Sequence, residues 1–92
     1  MDFEWDEEKR SSNLVKHDID FQDAPEMFHG PMLVRLDERK GYGEPRWQGL
    51  GLVQGRLMAV AYTKREPSTI RIISLRKANS REKTLFQEAL KD

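Results

Sequence analysis

The 92-residue chain has no cysteine, which excludes a disulfide framework, a thiolate zinc site and a cysteine nucleophile. Its two histidines cannot close a tetrahedral metal centre without carboxylates from elsewhere, so no metal or cofactor is expected. Long apolar runs are also missing: Gly, Gln or Arg breaks every one, which leaves no membrane-spanning helix. The N-terminus is acidic, the reverse of a signal peptide's basic start, and a cytoplasmic location is expected. No repeat, low-complexity tract or Pro/Gly/Ser linker divides the chain, so residues 1–92 are expected to form one domain with one modest core. Gly49-Leu50-Gly51 lacks the spacing and the lysine of a phosphate loop, and no Ser/His/Asp order of a hydrolase elbow is present. Without the paired aromatics of an RNA-recognition module, Trp5, Trp47 and Tyr62 read as core or interface residues rather than base-stacking platforms.

What the chain does have is charge: 16 basic and 16 acidic residues, 35% of the total, summing to zero. The sum hides a division. Residues 1–37 carry a net −6 and residues 38–92 a net +6. Neutrality therefore reads as two opposed surfaces, with the basic one the place for a polyanion.

The chain order predicts an α+β fold, with helices packed on one side of an antiparallel sheet. Phe3-Glu4-Trp5 alternates as a short strand does, and Asp6 offers an N-cap for a helix from about Glu7 to His17 with Glu7 and Glu8 at its positive end. Asp20 can cap a second, shorter helix through Phe21, Ala24, Met27 and Phe28, kept short or kinked by Pro25. From Pro31 onward the period becomes two. Strands are expected at 32–37, 46–53, 57–63 and 69–75, with turns at 39–43, 54–55 and 64–68. Gln54-Gly55 suits a two-residue hairpin. Such short connections imply an antiparallel meander of four strands, or five with Phe3 to Trp5. Asn79 followed by Glu82 begins a closing helix with a capping-box pattern and an apolar stripe at Leu85, Phe86, Ala89 and Leu90.

Three places concentrate groups able to act on a phosphodiester. Asn13, Lys16 and His17 lie at helical spacings of three and four near the end of the first helix, although cations there also simply complement the helix dipole. His17 has an unperturbed pKa near neutrality, as a proton-transfer group needs. The run Ile70-Arg71-Ile72-Ile73-Ser74-Leu75-Arg76-Lys77 comes next. Strict alternation puts Ser74 and Arg76 with Ile70 and Ile72, and Arg71 with Ile73 and Leu75, unless a bulge intervenes. An arginine among isoleucines must reach solvent, a carboxylate or a ligand. The third place is Tyr42-Gly43-Glu44-Pro45-Arg46, by itself a turn with an ion pair. His29 before Gly30-Pro31 is a turn residue. No helix carries a basic recognition face, which disfavours duplex DNA binding by this chain alone.

These motifs, taken in order, resemble the BrnT family of bacterial toxins. The resemblance runs from Phe-Glu-Trp-Asp at 3–6, through Lys9, Asn13-Leu14, Lys16-His17, Ile19, Phe21, Ala24 and Phe28, to Tyr42-Gly43-Glu44 with Arg46. It continues in residues 60–63, Ile70-Arg71-Ile72-Ile73-Ser74, Arg76-Lys77-Ala78 and Glu82. It implies a RelE-like ribonuclease fold and a type II toxin that cleaves RNA without a metal and arrests growth by blocking translation. It also implies a BrnA-like antitoxin with a ribbon-helix-helix type DNA-binding domain, in a heterotetramer that binds operator DNA through the antitoxin. Carried over by position, Lys16, His17, Arg46, Arg71 and Arg76 are the catalytic candidates, with Asn13, Ser74 and Lys77 as substrate-binding residues. One position departs: the family usually has Tyr where this chain has Phe86, so a proton donor or phosphate ligand there would have to be replaced.

Metal-free cleavage by the neighbouring 2′-hydroxyl needs a base, cations for the phosphorane and an acid for the leaving 5′-oxygen. The expected roles are His17 as base or acid, Lys16 as its assistant or a substrate-orienting group, and Arg46, Arg71 and Arg76 as the phosphate clamp, with Glu44 as an alternative base. The competing expectation is a non-catalytic interaction module of the same fold, degenerate at Phe86.

Overall fold

A computed structural model describes residues 1–39, 41, 43–65 and 67–91. The chain runs β1 (Asp2–Trp5), α1 (Glu7–His17), a 3-10 helix (Phe21–His29), β2 (Met32–Asp37), β3 (Arg46–Val53), β4 (Arg56–Arg65), β5 (Thr69–Lys77) and α2 (Ser80–Ala89). The five strands form one sheet in the order β1-β5-β4-β3-β2.

The meander from β2 to β5 is antiparallel, as the short connections require. β1 corrects the expectation of an antiparallel sheet throughout. It pairs in parallel with β5, Asp2 opposite Thr69 through Trp5 opposite Ile72. Here α1 and the 3-10 helix carry the chain from one edge to the other before the meander begins, so β5 returns beside β1 running the same way. A parallel neighbour needs such a crossover.

Local chemistry sets the helix bounds. The Asp6 carboxylate accepts from the Glu8 and Lys9 amides, and α1 ends where Asp18 turns left-handed at φ 57° and donates its amide to Leu14 O at 2.8 Å. Asp20 caps the next segment by accepting from Gln22 N. That segment winds as a 3-10 helix with Pro25 inside it and Phe21, Ala24 and Met27 buried. Proline's missing N–H removes an α-helical hydrogen bond, and the tighter winding is the outcome of the expected short helix. The Arg10 guanidinium forks onto Asp20 at 2.8 and 2.9 Å, tying α1 to the 3-10 helix. That fork holds the Asp20 carboxyl below its ordinary pKa. Between β3 and β4, Gln54 (φ 51°) and Gly55 (φ 78°) are both left-handed, the requirement of a type I′ hairpin turn.

The main core lies between one face of the sheet and the two N-terminal helical segments. Phe21, Met27, Ile72 and Leu75 are fully buried there. Phe28 sits between Phe3 (5.3 Å between ring centroids) and Tyr62 (5.1 Å, edge-on). A side chain at Gly51 would meet Met27 at 3.3 Å, so glycine lets β3 pass close under the 3-10 helix. A smaller cluster of Leu50, Ala59, Ala78 and Phe86 lies at α2, on the opposite face, which corrects the expectation of helices on one side only: the strands carry apolar residues for α2 on that face too.

Candidate active site

The arrangement of β5 decides which face its functional side chains occupy. Pairing with β4 slips between Ala61 and Tyr62: Ser74 faces Ala61, Ile72 faces Tyr62, and Ile73 is the extra residue. Before the slip Ile70 and Ile72 enter the main core; after it Leu75 does. Strict alternation would have sent Ser74 and Arg76 into that core and Leu75 out of it. The bulge reverses the phase, and Arg71, Ser74 and Arg76 come to the same open face.

Cross-strand registers build the rest of this face as three rows. Leu33, Leu50, Ala59 and Arg76 form one; Arg35, Gln48, Ala61 and Ser74 the next. In the third, Asp37 faces Arg46, Thr63 faces Arg71 and Arg71 faces Glu4. Continuing the Trp47–Tyr62 pairing by one residue sets Arg46 beside Thr63. Rows lie two residues apart along β2, β3 and β4, roughly 6.8 Å, and three apart on β5 where the bulge intervenes. The first two rows, walled by Glu82 and Leu85 of α2, enclose a groove of about 280 Å³ with Ala59, Ala61 and Ser74 on its floor. Small floor residues leave the space; arginines on three strands line its surroundings.

Each β5 arginine is held by a carboxylate. Arg71 Nη1 donates to Glu4 Oε2 at 2.7 Å. Arg76 donates to both Glu82 oxygens at 2.8 and 2.9 Å, while Glu82 also accepts from the Asn79 amide in a complete capping box. The Arg76 contact raises the guanidinium's pKa and holds the Glu82 carboxyl below its ordinary value. The acidic and basic halves of the sequence touch here: β1 is the sheet neighbour of β5, so Glu4 meets Arg71. Glu44 pairs with Arg65 at 3.5 Å, not with Arg46 as the turn alone suggests. Tyr42, from the same motif, lies outside the described residues.

Lys16 and His17 arrive from α1. They line a shallow hollow against Ile73 and Ser74, and Ser74 also lines the groove. Lys16 is exposed and His17 half-buried. Asn13 has a different position. Its amide is buried and donates to Ile19 O at 3.1 Å and Leu75 O at 2.8 Å, while its oxygen accepts from Leu75 N at 3.3 Å. β1 stops pairing at Ile72, and Asn13 takes up the β5 ladder where β1 leaves it. Its polar atoms are spent on backbone, which docks α1 rather than facing a substrate. Lys77, exposed at the end of β5, borders a separate hollow with Phe86 and Leu90. Phe86 is buried among Leu50, Ala59 and Ala78, an apolar setting for the position where the family's tyrosine is expected.

Sequence reasoning passed over Arg35, Gln48 and Thr63. The period-two pattern of β2 and β3 contained the first two: once the strands pair, Arg35 Nη2 donates to Gln48 Oε1 at 3.1 Å and Gln48 Nε2 to Asp37 Oδ2 at 3.2 Å. The Arg39 guanidinium, above all, brings the Asp37 carboxyl down to about 2. Thr63 closes the 60–63 stretch that resembles the family, but no role followed for it from the sequence. It is 1% exposed, and its hydroxyl has no hydrogen-bond partner among the described residues, a state that costs on the order of 1–3 kcal/mol.

Comparison with known proteins bears on this geometry. A family model described as the ribonuclease toxin, BrnT, of type II toxin–antitoxin systems matches residues 5–82. Among solved structures, the 1.1 Å crystal structure of the Brucella abortus ribonuclease toxin BrnT superposes with a TM-score of 0.67 at 29% sequence identity, over 87% of this chain and 99% of that one. A search of curated protein sequences finds no match.

Proposed function

The chain belongs to the BrnT ribonuclease toxins of type II toxin–antitoxin systems, and from that premise we propose that it cleaves RNA by metal-free attack of a 2′-hydroxyl on the adjacent phosphate. The observation that supports this reading most directly is the β5 bulge. It collects Arg71, Ser74 and Arg76 on the face that also bears Arg46, and it touches the hollow of Lys16 and His17 through Ser74.

In this mechanism the substrate strand lies along the open face. His17 takes the 2′-proton or returns one to the 5′-oxygen, and Lys16 orients the substrate beside it. Arg46, Arg71 and Arg76 meet the charge that grows on the phosphorane; their planar forks match its oxygens. With rows roughly 6.8 Å apart, Arg71 and Arg76 serve different parts of the strand rather than one phosphate. Ser74 positions by a hydrogen bond, Lys77 adds charge downstream, and Asn13 holds α1 at the distance the chemistry needs. The overall architecture is RelE-like in this reading, and the outcome in the cell is blocked translation.

Type II membership implies an antitoxin partner. We take it to be BrnA-like, with a ribbon-helix-helix type domain that brings operator DNA to a heterotetramer in the cytoplasm. No described helix is long and apolar enough to cross a membrane.

Expression without antitoxin, followed by growth and RNA integrity, tests the reading. Growth arrest with RNA cleavage is expected of the wild type, and loss of both from His17→Ala, Arg71→Ala and Arg76→Ala as folded proteins. Unchanged toxicity in all three variants would overturn the site. A harmless wild type that cleaves no RNA but binds its antitoxin would instead make this a non-catalytic member, a reading that Phe86 in its apolar setting favours.

A further inference from the structure

The third row of the open face contains a side chain for which neither fold nor packing accounts. Thr63 faces Arg71 directly, and continuing the β3–β4 register by one residue sets it beside Arg46. Its methyl can pack, but among the described residues its buried hydroxyl has no hydrogen-bond partner. Valine has the same shape and higher strand preference without that penalty. A hydroxyl kept in the row with two guanidinium groups is placed for an anion, since arginines and a hydroxyl supply only donors toward phosphate oxygens. Glu4 has the complementary chemistry. Its carboxylate, half-exposed on the edge strand, occupies the Nη1 donor of Arg71 at 2.7 Å, as a phosphate oxygen would.

Resting on the ribonuclease reading, we propose that Thr63 is a substrate contact. Its hydroxyl, between Arg46 and Arg71, donates to a nonbridging oxygen of an RNA phosphate that displaces Glu4 from Arg71. In the free protein the Glu4 carboxylate stands in for that phosphate, so the subsite is satisfied electrostatically while Thr63 is not. Substrate entry exchanges the Arg71–Glu4 contact for an Arg71–phosphate contact and gives the threonine hydroxyl a partner. Glu4 then returns to solvent at the sheet edge.

The test uses the full chain free of antitoxin and a short RNA with 2′-O-methyl groups at every position, which can bind but cannot be cleaved by 2′-attack. Thr63→Val is expected to melt at the wild-type temperature or above it and to bind this oligonucleotide about tenfold more weakly. Thr63→Ser, which keeps the hydroxyl and loses the methyl, is expected to melt lower and bind within about twofold of wild type. Glu4→Gln is expected to bind severalfold more tightly. Equal binding by Thr63→Val and wild type, or no binding of the oligonucleotide by wild type, overturns the proposal. Weaker binding by Glu4→Gln overturns the exchange at Arg71. Cleavage of unmodified RNA by wild type is scored separately, so a failed subsite and a failed ribonuclease reading give different results.

Discussion

The two faces of the sheet are built from the same strands and differ in almost every respect. Toward α1 and the 3-10 helix, the strands present Val60, Tyr62, Ile70, Ile72 and Leu75, which close on Phe21 and Met27 until both of those are fully buried. Toward the opposite side they present Ala59, Ala61 and Ser74 among arginines, with α2 covering only one end. Large apolar side chains on one face oblige something to pack on them. Small ones beside fixed cations do the opposite: no helix can cover that floor without burying guanidinium groups, so the groove stays open.

Substitutions can break this contrast or sharpen it, beginning with the largest effect. Phe21→Ala on the packed face is expected to cost about 3–5 kcal/mol and to leave little folded protein, measured by urea unfolding. Asn13→Ala removes three hydrogen bonds to backbone and orphans both polar groups of Leu75. The expected cost is about 2–3 kcal/mol, read in the same way, with any loss of RNA cleavage following the loss of α1 docking. On the open face, Ala61→Leu should unfold within about 1 kcal/mol of wild type, because space is available, yet cut RNA cleavage at least about tenfold by filling the groove floor. Stability and activity thus part company on the open face and not on the packed one.

The smallest expected effect concerns acid. Glu82 has its folded pKa lowered, chiefly by Arg76. Its stabilising contribution is therefore present above the unfolded value of about 4.3 and is lost as pH falls through the lower folded value. Glu82→Gln keeps a capping-box side chain while removing the titration, so the fall in melting temperature below about pH 4 should be shallower than in wild type. An identical acid profile for the two would show that the Arg76–Glu82 pair contributes nothing measurable.

Much of the fold was legible because it depends on near neighbours. The caps at Asp6, Asp20 and Asn79, the hairpin at Gln54-Gly55 and the meander all rest on contacts within a few residues, and each formed where the pattern placed it. The direction of β1 was not legible, since its partner is 67 residues away and no short turn constrains it. For the candidate site, the motifs at 13–17 and 70–77 supplied the residue types but not the orientation of their side chains. Asn13 has the spacing of a surface residue on a helix, and only the end of β1 explains why it turns inward to the bare edge of β5.

By itself, the sequence determined the elements, their order and the chemical types available, because helix caps, strand alternation and hairpin turns are local equilibria. It also contained the family motifs in order. Tertiary structure alone decided which of those groups meet. The β4–β5 slip moved Ser74 and Arg76 out of the core and Leu75 into it, since burying an arginine against Phe21 and Met27 would cost far more than one displaced residue in a ladder. The parallel edge strand brought Glu4 to Arg71, so charges 67 residues apart in the chain became a pair 2.7 Å apart at the site.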